Sequence, residues 1–182
     1  ILQSGGVTSE RLTEVRATGA FLILFAVLLV WRRSTLRVSL GELPFLAVFG
    51  VAGLAFVAWF YFVAIERLEI GVALLIQYVA PVLVALYARY VLHEPVRRRI
   101  WAALALAIVG LALLLQLWHG LELDGIGVLA SIGAAITFAL YILMADRGIR
   151  RRTSSSLLAY GFLFAALFWA VLQPWWGFPF DA

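Results

Sequence analysis

The sequence contains no cysteine, no lysine and no asparagine. Without cysteine there is no disulfide framework, no thiolate nucleophile and no thiolate metal ligand. Without lysine, all 14 basic residues are arginine, a bias that fits a GC-rich bacterial genome. Also missing are an HExxH pair, a Gly-rich phosphate loop and a nucleophile elbow. No catalytic centre, metal site or cofactor is expected from such a composition. The polar opening stretch, 1–14, has no signal-peptide pattern. That stretch and the abrupt end after an apolar run both read as cut points.

What the sequence has in excess is apolar surface. The hydrophobic share is 65%, where a soluble domain sits near one half. Mean hydropathy is +1.04. A soluble core of this length cannot bury that surplus, so the expected surroundings are a lipid bilayer. The net charge of +4 would point to nucleic acid in a soluble chain. Here the arginines form short clusters between apolar runs, which is the pattern of membrane topology control, so no nucleic-acid partner is expected.

A helix needs about 20 apolar residues to cross the hydrocarbon. Six runs qualify, over 15–31, 43–65, 70–90, 100–118, 125–145 and 156–175. The loops between them are short, which makes neighbouring helices antiparallel. The expected fold is therefore an all-α integral membrane protein, an antiparallel bundle of six transmembrane helices. Arginine placement orients it. Three alternate junctions hold Arg32, Arg33 and Arg37; Arg89, Arg97, Arg98 and Arg99; and Arg147, Arg150, Arg151 and Arg152. Together these are 11 of the 14 arginines. By the positive-inside rule that side is cytoplasmic. The first helix then begins outside, an arrangement that one further helix upstream would repair. Trp31, Trp101, Trp118, Trp175 and Trp176 fall at belt positions, whereas Trp59 and Trp169 lie well inside their helices.

Inside the bilayer, small residues and isolated polar groups carry the information. Gly50, Gly53 and Ala58, then Ala103, Ala107 and Gly110, then Gly127, Ser131 and Ala135 form stripes that either pack helices closely or line a cavity. In the run 70–90, Gln77, Tyr78 and Pro81 cluster near the middle. Pro81 lacks an N–H, so it kinks or unwinds the preceding turn and frees a carbonyl near Gln77. Interrupted helices near the midplane are where carriers place binding sites. A structural kink, with Gln77 bonded to a neighbouring helix, has equal weight. Ser131, Thr137 and Tyr141 are further candidates, although Ser and Thr in membrane helices often bond their own helix. Trp59 and Tyr61 could stack on a substrate, or serve as core. His93 and Glu94 read as an interfacial pair, and His119, Glu122 and Asp124 as an acidic outer loop. No intramembrane Asp or Glu is visible in the six runs.

The stretch from Tyr61 to Pro81, YFVAIERLEIGVALLIQYVAP, followed by His93-Glu94-Pro95 and a basic loop, resembles the EamA family of the drug/metabolite transporter superfamily. Tyr61 and Ala64 close one helix, Gly71 and Ala73 open the next, Pro81 lies within it, Glu94 ends it, and an Ala/Gly-rich helix with Gly110 follows. The resemblance implies a ten-helix carrier built from two five-helix inverted repeats. It implies that this chain corresponds to helices two to seven. Residues 1–121 would be a first repeat lacking its first helix, and 122–182 the start of a second, opening at Asp124-Gly-Ile-Gly127.

The expected function is a multi-pass transporter in the cell membrane, exporting or exchanging a small metabolite such as an amino acid by alternating access. Candidate substrate-binding residues are Trp59, Tyr61, Gln77, Tyr78, Pro81, Ser131, Thr137 and Tyr141. Two rivals are an intramembrane enzyme, which would need His93 and His119 to meet, and a non-transporting or truncated membrane subunit.

Overall fold

A computed structural model describes residues 9–31, 33–114 and 124–172. Among these residues the regular structure is helical, with no strand. The α-helices are α1 Ser9–Trp31, α2 Leu43–Val48, α3 Phe56–Ile65, α4 Ile70–Gln77, α5 Ala80–Tyr90, α6 Arg98–Leu114, α7 Gly125–Ile149 and α8 Ser154–Leu172. A π-helical segment, Phe49–Ala55, joins α2 to α3. Among the described residues, five spans are long and apolar enough to cross a membrane: Arg11–Trp31, Leu40–Ile65, Ile70–Tyr90, Gly125–Ile149 and Ser154–Leu172. Helix α6 contributes 17 described residues at the place expected for the remaining one. The expected all-α, multi-pass membrane architecture is therefore observed.

Three details differ from the sequence reading. Helix α1 starts at Ser9 rather than near residue 15, because its charged first turn is helical, with Arg11 and Glu14 paired three residues apart. The run 43–65 is continuous but holds the π-helical segment. The run 70–90 is two helices, α4 and α5. The loop with His119 and Glu122, and the tryptophans Trp118, Trp175 and Trp176, lie outside the described residues.

The chain divides into two compact units. The first comprises residues 1–59 and 143–182. Its main packing is α1 on α8, with the π-helical segment also on α8. Glycine makes the second contact possible. A Cβ on Gly50 would collide with the Gly161 carbonyl oxygen and stand 2.8 Å from Phe164 Cβ. The bare Gly161 in turn admits Leu54 and the Phe49 ring, each 2.8 Å from where its Cβ would be. In lipid, such close backbone approach replaces the hydrophobic effect as the source of association. Ala17, Ala55, Ala165, Ala166 and Trp169 form the buried cluster beside it, with Leu54, Trp59, Phe162 and Phe168 packed around them.

One end of this unit is tied by Arg152. Its guanidinium donates to the Glu42 carboxylate, to Ser156 Oγ at 2.9 Å and to the Arg37 carbonyl oxygen at 2.8 Å. It also lies 5.5 Å from the centre of the Tyr160 ring. The Tyr160 hydroxyl donates to the Leu36 carbonyl oxygen at 2.6 Å. Residues 35–42 and 152–160 are thus at one end, while Ala17 meets Trp169 further along, so α1 and α8 run antiparallel.

The second unit comprises residues 60–142. Asp124 caps α7, accepting from the Gly127 N–H at 2.8 Å. Ala64, Leu68, Val72, Ala73 and Ala130 are buried together, and Ala80, Ala135 and Ala139 form another cluster further along α7. Small residues again set the spacing, but against side chains. A Cβ on Gly127 would lie 2.7 Å from Leu68 Cγ, and one on Gly133 3.0 Å from the Phe60 ring. The stripe on α6 is different. Ala103 and Ala107 are exposed, and a Cβ on Gly110 would meet nothing within 4 Å.

Candidate functional site

The interruption between α4 and α5 is where sequence and structure meet most directly. Tyr78 ends α4 with φ −70° and ψ 0°, outside the helical basin. Its N–H still reaches the Leu74 carbonyl oxygen at 2.8 Å, whereas the Val79 N–H turns to Ile76 at 3.1 Å. Pro81, in the first turn of α5, has no N–H to give to Gln77. The Val82 N–H bonds Val79 at 2.9 Å instead of Tyr78. The Gln77 and Tyr78 carbonyls therefore lose their ordinary helical donors, as the proline predicts. The break lies near the middle of the span Ile70–Tyr90. It also lies between two apolar clusters that both rest on α7, one including Ile76 and Ala130, the other Ala80 and Ala135. Gln77 and Pro81 are half-buried, and Tyr78 is 51% exposed.

The other candidates fare differently. Ser131 is fully buried, and its hydroxyl donates to the Gly127 carbonyl oxygen at 2.9 Å. Thr137 donates to Gly133 at 2.8 Å. Both hydroxyls are spent within α7, the back-bonded arrangement common in membrane helices. Tyr141 is half-buried and stacks on Phe138, centroids 6.0 Å apart. Tyr61 is half-buried with its ring 5.9 Å from Phe62. Seven of the eight candidates fall in the second unit, and Trp59 falls in the first. Trp59 lies beside Trp169, centroids 6.4 Å apart, so the two inward tryptophans of the sequence are neighbours in one aromatic group with Phe56 and Phe168. His93 adopts a left-handed backbone, φ 56°, in the turn after α5. Its Nδ1 lies 3.1 Å from the Val91 carbonyl oxygen, and no ion pair joins it to Glu94 among the described residues.

Sequence reasoning missed a group in the first unit. Glu14 has no solvent exposure. Its Oε2 accepts from Arg11 at 2.9 Å, while Oε1 is buried without a hydrogen-bond partner among the described residues. Thr18 Oγ1 and Trp169 Nε1 are buried and unpartnered in the same sense. The signal was faint: Glu14 precedes the first uninterrupted apolar run, and only its packing reveals that it is inside.

Fold and sequence together define a multi-pass α-helical membrane protein with an interrupted helix at mid-span. The model of the EamA-like transporter family matches residues 2–116. The chain belongs to that family, whose members are transporters. No curated protein matches it. A crystal structure of a protein 24% identical in sequence superposes with a TM-score of 0.73, covering 92% of this chain. This chain spans 58% of the length of that structure, and the likeness concerns the fold.

Proposed function

We propose that the protein is a carrier that exports or exchanges a small metabolite, such as an amino acid, by alternating access across the cell membrane. Membership of a transporter family supports the class. The observation that carries the site is the broken helix at Tyr78-Val79, where two carbonyls lose their helical donors at mid-span. Backbone of that kind is tolerated at membrane depth where it lines a cavity or is buried in protein, and it supplies acceptors for a polar substrate. Gln77, Tyr78 and the Tyr141 hydroxyl would add side-chain hydrogen bonds there, with Tyr61 as an aromatic wall of the same unit. Ser131 and Thr137 shape α7 through their bonds to their own helix. In this reading the arginine-rich junctions face the cytoplasm, and the chain contributes helices two to seven of a ten-helix inverted-repeat carrier. Residues 1–121 then belong to its first repeat and 122–182 to its second.

The test is export of metabolites from a transport-deficient host carrying the complete gene. Expression is expected to raise efflux of one or a few metabolites. Gln77→Ala and Tyr141→Phe are each expected to lower that efflux about tenfold or more, the loss of one or two hydrogen bonds. Unchanged efflux kinetics in both variants, at normal expression, would show that the site lies elsewhere.

A further inference from the structure

The unused group of greatest chemical interest is Glu14, on α1 within the apolar span Arg11–Trp31. An ionised carboxylate out of water is costly unless its oxygens are compensated. Here Oε2 has Arg11 and Oε1 has nothing among the described residues. Thr18 is one turn further along α1 on the same face, with a buried, unpartnered hydroxyl oxygen. Ala17, beside Thr18, shares a cluster with Trp169 of α8, whose indole N–H is also unpartnered. Helix α8, the main helix packed on α1, adds no counter-charge along it. Helix α8 and residues 43–59 contain no Asp, Glu, Arg or His. The titratable Tyr160 is bonded to Leu36 at the other end, where Arg33 donates to the Leu29 carbonyl oxygen. Arg16, on α1 itself, is exposed.

We propose that Glu14 is a proton-binding site of the transport cycle. In one state the carboxylate is ionised and held by Arg11. In the other, a proton bonds to Oε1, the neutral carboxyl donates to the Thr18 hydroxyl oxygen, and its tie to Arg11 weakens. One proton is taken up and the same proton is later returned; no other bond changes. Ionised, the carboxylate leaves Oε1 as an uncompensated buried acceptor; protonated, it carries no charge and has a proton to donate one turn from Thr18, so the two states differ in charge and in what they bond. Thr18 and Trp169 act as positioning residues.

Only the place of this proton in a cycle rests on the carrier reading; its binding is measurable without substrate. The experiment is infrared difference spectroscopy of the complete protein in lipid, between neutral and acidic pH. The expected result is a carbonyl band of a protonated, water-excluded carboxyl. It should be absent from Glu14→Gln and shifted in frequency in Thr18→Val. Should Glu14→Gln fail to fold, Glu14→Asp is expected to keep a band with a displaced frequency and midpoint. A band that survives Glu14→Gln or is unmoved by Glu14→Asp overturns the proposal, as does its absence from the wild type. A titrating Glu14 in a protein that exports nothing would instead count against the carrier reading and leave the proton site standing.

Discussion

The two units solve the same problem, holding helices together in lipid, with different materials. In the first, backbone meets backbone at Gly50 and Gly161, and one arginine gathers two loops. In the second, glycines accommodate side chains, Leu68 at Gly127 and Phe60 at Gly133. Polar groups inside the units differ in the opposite sense. Ser131 and Thr137 of the second unit are satisfied one turn away on their own helix. Glu14, Thr18 and Trp169 of the first have polar atoms left over. A polar residue in a membrane helix is thus informative by what it fails to bond, more than by its presence.

The largest expected effect tests the packing half of that comparison. Gly50→Ala places a methyl group against a carbonyl oxygen and Phe164 Cβ, neither of which is the free end of a flexible side chain. A loss of about 3 kcal/mol is expected, read as unfolding in mixed micelles. Gly110→Ala, on the open stripe of α6, is expected to be neutral or stabilising by up to about 1 kcal/mol. Equal losses at both positions would remove the distinction between backbone contact and open stripe.

Next comes the charged tie of each unit. The Arg152 side chain is 9% exposed and bonds a carboxylate, a hydroxyl and loop carbonyls. Arg152→Ala is expected to cost about 2–3 kcal/mol. Arg67 and Asp124 in the second unit stand 3.8 Å apart with both side chains more than two-fifths exposed. Arg67→Ala is expected to cost under about 1 kcal/mol. The same unfolding assay separates them; a ranking in reverse order would break the contrast.

The smallest effect concerns Ser131. Because its hydroxyl bonds its own helix, Ser131→Ala is expected to change stability by less than about 1 kcal/mol. A larger loss in the unfolding assay would mean that the second unit, too, depends on its internal polar groups.

Much of the fold was legible because membrane spans are written in length and apolarity, and Pro81 marks its own break. The aromatic outliers Trp59 and Trp169 were legible as exceptions, though not as neighbours. The rest depends on partners. The stripes at Gly50 and Gly110 look alike along the chain, yet one meets a backbone and the other meets nothing. Glu14 was overlooked for the same reason. Hydropathy assigns a charged turn to the interface, and only packing against other helices takes it out of water.

The π-helical segment Phe49–Ala55 carries a consequence for how the chain tolerates a change of length. Elsewhere in a helix, losing one residue rotates everything beyond it by about 100° and shortens it by about 1.5 Å. A wider turn already holds a residue that an α-helix of the same phase would not need. A one-residue deletion within 49–55 can therefore be absorbed by tightening to ordinary helix, leaving α2 and the start of α3 facing as before. The segment is a built-in allowance of one residue, placed where the helix passes closest to its neighbour.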